Sequence, residues 1–135
     1  MRRDLRTYDP DEANGVLPEV RRLVRRIVET SQRSPDLEER VKVARYRALR
    51  PDAEAGAAAE LERVEEELQA AETALASAAL ALEGMGIQLK DAREGLVDFL
   101  SYREGELVEL CWKLGEDSVA HWHRIGEGFR GRKPL

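Results

Sequence analysis

Two long stretches of this chain carry apolar residues at the three- and four-residue spacing of an α-helix. The first stretch opens with the run DPDE at residues 9–12, which predicts Asp9 as N-cap, Pro10 as the first helical residue and Glu12 as the partner in a capping box. The apolar positions of this predicted helix continue to about Leu49: Ala13, Val16, Leu17, Val20, Leu23, Val24, Ile27, Val28, Leu37, Val41, Ala44 and Ala48.

Two prolines interrupt this first pattern. Pro18 removes the hydrogen bond to the carbonyl of Asn14, so we expect a bend at that point. Ser34-Pro35 has the residue types of a new cap and first helical position, and it fits either a kink in one long helix or a true turn. Arg50-Pro51-Asp52 predicts a firmer end to the helix.

The second stretch is a heptad seam, in which apolar residues alternate at four- and three-residue steps. Its members are Ala57, Leu61, Val64, Leu68, Ala71, Leu75, Ala78 and Leu82. Gly84-Met85-Gly86 predicts its end. We expect a long antiparallel, coiled-coil-like hairpin of Asp11–Leu49 against Ala57–Glu83. The seam needs a partner, which is the first helix, a second copy in a homodimer, or both.

The remainder of the chain alternates as strands do. Ile87-Gln88-Leu89 predicts a short strand, and Leu96–Tyr102 and Glu106–Leu114 predict a hairpin around a three-residue loop, Arg103-Glu104-Gly105. That loop would pair Asp98 with Leu110. One face of the hairpin would then be apolar apart from Asp98: Leu96, Leu100, Tyr102, Val108, Leu110, Trp112 and Leu114.

A third strand is predicted within Ser118–His123, after a turn at Gly115-Glu116-Asp117. A three-residue turn places Trp122 opposite Leu110 on the core face, whereas a loop of two or four residues would invert every side chain. Burial of Trp122 favours the three-residue turn. The predicted fold is therefore a single α+β domain over residues 1–135, with a helical hairpin at about 10–84 and a small antiparallel sheet at about 87–135.

The charge of −5 is spread unevenly along the chain. Residues 1–50 hold 13 basic and 9 acidic side chains (+4), whereas residues 51–94 hold 3 and 11 (−8). The two helices are therefore expected to attract each other, and nucleic acid is an unlikely partner of so acidic a chain. The single cysteine, Cys111, the lack of a signal-peptide pattern and the lack of a long apolar run predict a cytoplasmic protein without membrane segments.

The C-terminal block also holds the residue types that carry chemistry. In the three-residue register, Cys111 faces His121 and Glu109 faces His123, so four side chains of the kinds that zinc accepts converge on one face. The alternative is that both histidines simply flank a buried Trp122. No cofactor is otherwise expected from the sequence.

Other members of this block are candidates for a site. Asp98 on an apolar face needs a partner, which Arg132 or a backbone turn could supply, and Glu116 could hold Arg130 or Arg132. A nearby histidine could activate Cys111 as a nucleophile, although a small apolar role in a strand is the simpler interpretation. The candidate site residues are Asp98, Cys111, Trp112, Glu116, Trp122, His123 and Arg132.

Several short motifs together resemble the uncharacterised bacterial domain-of-unknown-function family 2203. They are Glu12-Ala13-Asn14, Leu17-Pro18-Glu19, Gly95-Leu96-Val97-Asp98-Phe99, Leu110-Cys111-Trp112, Leu114-Gly115-Glu116, Trp122-His123 and the tail at residues 128–135. The resemblance supports the fold class but implies no activity. Two functions of different kinds remain: a non-enzymatic interaction or oligomerisation module, and a small metal-dependent enzyme or metal sensor.

Overall fold

The computed structural model describes residues 5–135, and it shows two long helices followed by a five-stranded antiparallel sheet. The elements are α1 (Pro10–Leu49), α2 (Ala57–Gly84), β1 (Ile87–Asp91), β2 (Leu96–Arg103), β3 (Glu106–Lys113), β4 (His121–Arg124), a short 3-10 helix (Phe129–Gly131) and β5 (Lys133–Pro134). The predicted α+β architecture is confirmed. No helix within residues 5–135 is long and apolar enough to cross a bilayer.

The start of α1 follows the predicted capping box. Asp9 Oδ1 accepts the Glu12 backbone N–H at 2.7 Å, and Glu12 Oε1 accepts that of Asp9 at 3.1 Å. The helix then runs without a break through Pro35, so the alternative of one long helix is correct and a new cap at Ser34 is not formed. Instead the Ser34 hydroxyl donates to the Thr30 carbonyl at 3.0 Å, one turn back along the same helix.

The heptad seam of α2 packs against α1 in the same chain. Val64, Ala71, Ala78 and Leu82 of the seam are buried. Two ion pairs join the helices, Arg40–Glu67 at 3.2 Å and Arg45–Glu65 at 4.0 Å, and both are exposed enough to contribute little energy. The intramolecular alternative for the seam is therefore observed, and self-association stays a prediction.

The turn between β2 and β3 differs from the prediction. It has two residues, Glu104 and Gly105, with φ angles of 52° and 80°, and Arg103 pairs directly with Glu106. Two positive φ angles are typical of a type I′ turn, whose twist matches that of the strands. The three-residue loop was wrong because Glu104 adopts a left-handed conformation that residues other than glycine rarely take.

This one-residue difference exchanges the two faces of β2. Val97 and Phe99, rather than Leu96, Leu100 and Tyr102, join Leu110 and Trp112 in the core against the helices. Asp98 lies on the opposite face and is buried there (2% exposed), so its predicted place on the apolar face was wrong.

The pairing of β3 with β4 has the predicted register. Leu110 lies opposite Trp122, Cys111 opposite His121, and Glu109 opposite His123. The pairing begins only at His121, because residues 114–120 form the connection. The tail then returns as β5 along the outer edge of β4, with His121 opposite Pro134.

Candidate metal centre

Three side chains from three adjacent strands meet on the face of the sheet that points away from the apolar core. They are Asp98 of β2, Cys111 of β3 and His123 of β4, and their possible ligand atoms all lie within 4.8 Å of one another. Their exposed fractions are 2%, 0% and 1%, so the group is shielded from solvent.

Strand register explains how these residues come together. The two-residue turn sets Asp98 directly opposite Cys111, and the next pairing sets His123 opposite Glu109. His123 therefore reaches diagonally across β3 to Asp98, where its Nε2 lies 3.1 Å from Oδ1. A slip of one residue in either pairing would move part of the group to the other face.

The two ring nitrogens of His123 have different roles. Nδ1 lies 2.8 Å from the Arg124 carbonyl oxygen, which can only accept, so Nδ1 carries a proton and donates it. Nε2 is thereby directed at the Asp98 carboxylate. Two lone pairs cannot face each other at this distance without a proton or a cation between them, so the geometry of the pair requires one.

The surroundings of the Cys111 thiol disfavour its ionisation. Burial, reinforced by the negative charge of Asp98, raises the pKa of its thiol to about 11, although Arg132 acts in the opposite direction. Activation requires a lowered pKa. Among residues 5–135, no histidine hydrogen-bonds to this thiol, so the structure does not support the nucleophile hypothesis.

Glu109 lies beside the group but outside it. One of its carboxylate oxygens is 4.0 Å from His123 Nδ1, on the side of the ring away from Asp98. Burial, and then the charge of Asp98, raises the pKa of Glu109. Glu109 is therefore a close neighbour of the three-residue group, and Asp98 takes the position that the sequence analysis gave to Glu109.

Glu116 and Arg132 form a second polar group next to Cys111. Arg132 binds Glu116 through two hydrogen bonds, of 3.0 and 2.5 Å, and Glu116 also accepts the Lys113 backbone N–H at 2.7 Å. Burial opposes ionisation of Glu116, but these hydrogen bonds outweigh burial and lower its pKa. Glu116 thus holds Arg132, one of the two arginines suggested for it. Asp98 is paired with His123 rather than with Arg132 or a backbone turn, the partners suggested for it from the sequence.

His121 lies between the two groups. Its Nδ1 is 3.9 Å from Glu116 Oε2, too far for a hydrogen bond. This nitrogen is buried, and it is the one buried side-chain polar atom among residues 5–135 that has no hydrogen-bond partner. Of the four predicted zinc ligands, Cys111 and His123 therefore belong to the three-residue group with Asp98. His121 and Glu109 lie on either side of this group.

The two tryptophans belong to the other face of the sheet. Trp112 is fully buried in the core, and its Nε1 donates to the Glu116 carbonyl at 3.1 Å. Trp122 is half-buried and packs against the same core. Neither ring lies on the face of the sheet that carries Asp98, Cys111 and His123, although both tryptophans are among the candidate site residues predicted from the sequence.

A cleft of about 340 Å³ borders the three-residue group at Asp98 and Glu109. Its remaining wall consists of Leu5, Arg6, Glu83, Gly84, Gly86, Gln88 and Leu100.

Residues 6–135 match the family described as "Uncharacterized conserved protein (DUF2203)", and the chain belongs to that family. The resemblance inferred from the short motifs is thereby confirmed. No curated protein and no solved structure matches the chain. The family description names no activity, so any function has to be argued from the site itself.

Proposed function

We propose that this DUF2203 protein binds a divalent transition-metal ion, zinc above all, through Asp98, Cys111 and His123. The observation that carries the proposal is the orientation of His123. Its Nδ1–H is fixed by the Arg124 carbonyl, and its Nε2 points into a buried space shared with a carboxylate and a thiol. Histidines that bind metals are commonly held by such a second hydrogen bond.

The chemistry of the three side chains favours zinc over the common hard cations. Zinc accepts thiolate, imidazole and carboxylate ligands, whereas magnesium and calcium prefer oxygen alone. An ion at this position would replace the proton that the Asp98–His123 pair otherwise holds, and it would also bind the Cys111 sulfur as a thiolate. The alternative is a buried polar cluster held by hydrogen bonds alone.

Metal analysis of the purified protein separates these alternatives. The protein should be expressed without a histidine tag, and metal content measured by atomic absorption together with the shift in melting temperature on adding zinc. We expect about one zinc per chain, and loss of that zinc in Cys111→Ser and His123→Ala. Gln88→Ala, an exposed change on β1 opposite Asp98, is the matched control and should retain the metal.

Two results together would contradict the proposal: purified protein without metal, and a melting temperature that zinc leaves unchanged. A metal content that Cys111→Ser and His123→Ala leave intact would place any bound ion elsewhere.

A second candidate is the interaction module, and the far end of α1 supports it. Val43, Tyr46 and Leu49 are 40%, 67% and 76% exposed there. The neighbouring exposed residues of α1 include the basic Lys42, Arg45 and Arg47, and those of α2 include the acidic Glu62 and Glu66. Because these surfaces complement each other in charge, the proposed partner is a second copy of the chain.

Light scattering behind size exclusion tests this second candidate. A mass of about twice 15.3 kDa at low salt, reduced by Tyr46→Lys, would support it. A monomer at tens of micromolar would contradict it. This result is independent of the metal analysis.

A further inference from the structure

We infer that His121 is the fourth protein ligand, so that the ion is enclosed by Asp98, Cys111, His121 and His123 and keeps no open position for a substrate. This inference rests on the proposed metal site. The number of protein ligands decides whether the site is structural or catalytic, because structural zinc sites have four protein ligands, whereas catalytic sites keep one position for water or substrate.

The buried Nδ1 of His121 is the first reason. A buried nitrogen without a hydrogen bond costs free energy and is uncommon in folded proteins. His121 Nδ1 is the one such side-chain atom among residues 5–135. Coordination to an ion would satisfy it.

Its position in the sheet is the second reason. His121 lies directly opposite Cys111 in the β3–β4 register, and the Cβ atoms of such pairs are ~4.5–5.5 Å apart. His121 and His123 are two residues apart on one strand, so their side chains share a face. A side-chain rotation can therefore bring Nδ1 to an ion bound by Cys111 and His123.

The third reason is that the rotation breaks no hydrogen bond of Nδ1. The nearest carboxylate, Glu116, lies 3.9 Å away and already accepts two hydrogen bonds from Arg132 and one from the Lys113 backbone. The carboxylate of Glu116 therefore has hydrogen-bond partners without His121. The side chain of His121 is also about one-third exposed, which leaves its ring room to turn.

A closed site has a structural consequence. The four ligands come from β2, β3 and β4, so the ion would join three neighbouring strands. β4 in turn carries the tail, since His121 and Trp122 pair with Pro134 and Lys133 of β5. The ion would thus hold the last strands of the sheet to its centre. The competing arrangement is a fourth position filled by water or by a small molecule from the cleft at Asp98.

Two variants decide between His121 and Glu109, the other side chain beside the group. We expect His121→Ala to raise the zinc Kd at least about tenfold and Glu109→Gln to leave it within about twofold. His121→Cys, which supplies a thiolate, should restore most of the affinity. His121→Ala should lower the melting temperature of the metal-free protein only slightly. The substitution removes some packing of a partly exposed ring but no hydrogen bond of Nδ1, which makes none.

Absorption spectroscopy of the cobalt-substituted protein gives a readout that does not depend on any variant folding. Four-coordinate cobalt absorbs far more strongly in the visible range than five- or six-coordinate cobalt. We expect the four-coordinate spectrum, unchanged on adding acetohydroxamate, which binds metals that have an open position.

Other outcomes would overturn the inference. They are an unchanged zinc Kd in His121→Ala, a loss of affinity in Glu109→Gln alone, or a cobalt spectrum that shifts with acetohydroxamate. Each of these leaves the proposed three-ligand site standing, whereas a wild-type protein that binds neither zinc nor cobalt would defeat the proposed function itself.

Discussion

The two faces of the β-sheet are equally buried at its centre but are stabilised in different ways. On the helix-facing side, Val97, Phe99, Leu110 and Trp112 are at most 2% exposed and pack against apolar residues of α1 and α2. On the other side, Asp98, Cys111 and His123 are just as buried, and each is a polar group or a potential ligand.

The difference shows where a function is to be sought. Apolar side chains gain stability from removal from water whichever apolar neighbours they have. Buried polar side chains lose stability unless each has a specific partner. Replacing such buried polar groups by apolar ones is often neutral or stabilising, which is why we place the proposed function at the polar group.

The largest expected effect is on the apolar face. Phe99 is fully buried and meets Tyr8 edge to face, with ring centroids 5.4 Å apart. Phe99→Ala should lower the free energy of unfolding by about 3–5 kcal/mol, measured by urea denaturation. Among molecules that remain folded, the zinc Kd should not change, since Phe99 lies on the other side of the sheet. A loss below about 1 kcal/mol would contradict the packing described for this face.

Asp98→Ala should have a somewhat smaller effect, through a lost polar partner rather than lost apolar packing. It would leave His123 Nε2 buried without its partner, at a cost of roughly 1–3 kcal/mol in metal-free protein. Asp98→Asn, which keeps a hydrogen-bonding group of the same shape, should cost much less, and both variants should bind zinc weakly. Asp98→Ala protein as stable as wild type would contradict the described pair of Asp98 and His123.

Sequence patterns predicted the two faces unequally well. The helical hairpin followed from the apolar spacing and the capping box at Asp9. The β3–β4 register followed from the need to bury Trp122. The β2–β3 register was not predicted, because it depends on a positive φ angle at Glu104. Glutamate rarely adopts such an angle, so the sequence did not indicate it. Asp98 was therefore noticed as an unusual residue but assigned to the wrong face.

Partners within the site were even less predictable. The pairing of Glu116 with Arg132 was expected from residue types, but the pairing of Asp98 with His123 depends on a diagonal reach across β3. Such a contact depends on side-chain direction rather than on spacing in the sequence. For the same reason, the predicted zinc ligands included Glu109 and omitted Asp98.

The smallest expected effect concerns pH and the ion pair beside the site. The pKa of Glu116 is lowered in the folded protein, so its ionised form stabilises the fold above the ordinary pKa of about 4.5, and this contribution is lost as the pH falls through the lowered value. Glu116→Gln should therefore be less stable than wild type by about 1 kcal/mol at pH 7, and the difference should shrink toward pH 3. Thermal unfolding across this range measures it, and a difference that does not vary with pH would contradict the described ion pair.

X-ray absorption at the zinc edge is the most direct test of the polar face. It reports the elements bound to the ion and their distances without depending on any substitution. We expect one sulfur ligand at about 2.3 Å together with nitrogen and oxygen ligands at about 2.0–2.2 Å. A zinc ion surrounded only by nitrogen and oxygen would contradict the proposed site, because Cys111 lies at its centre.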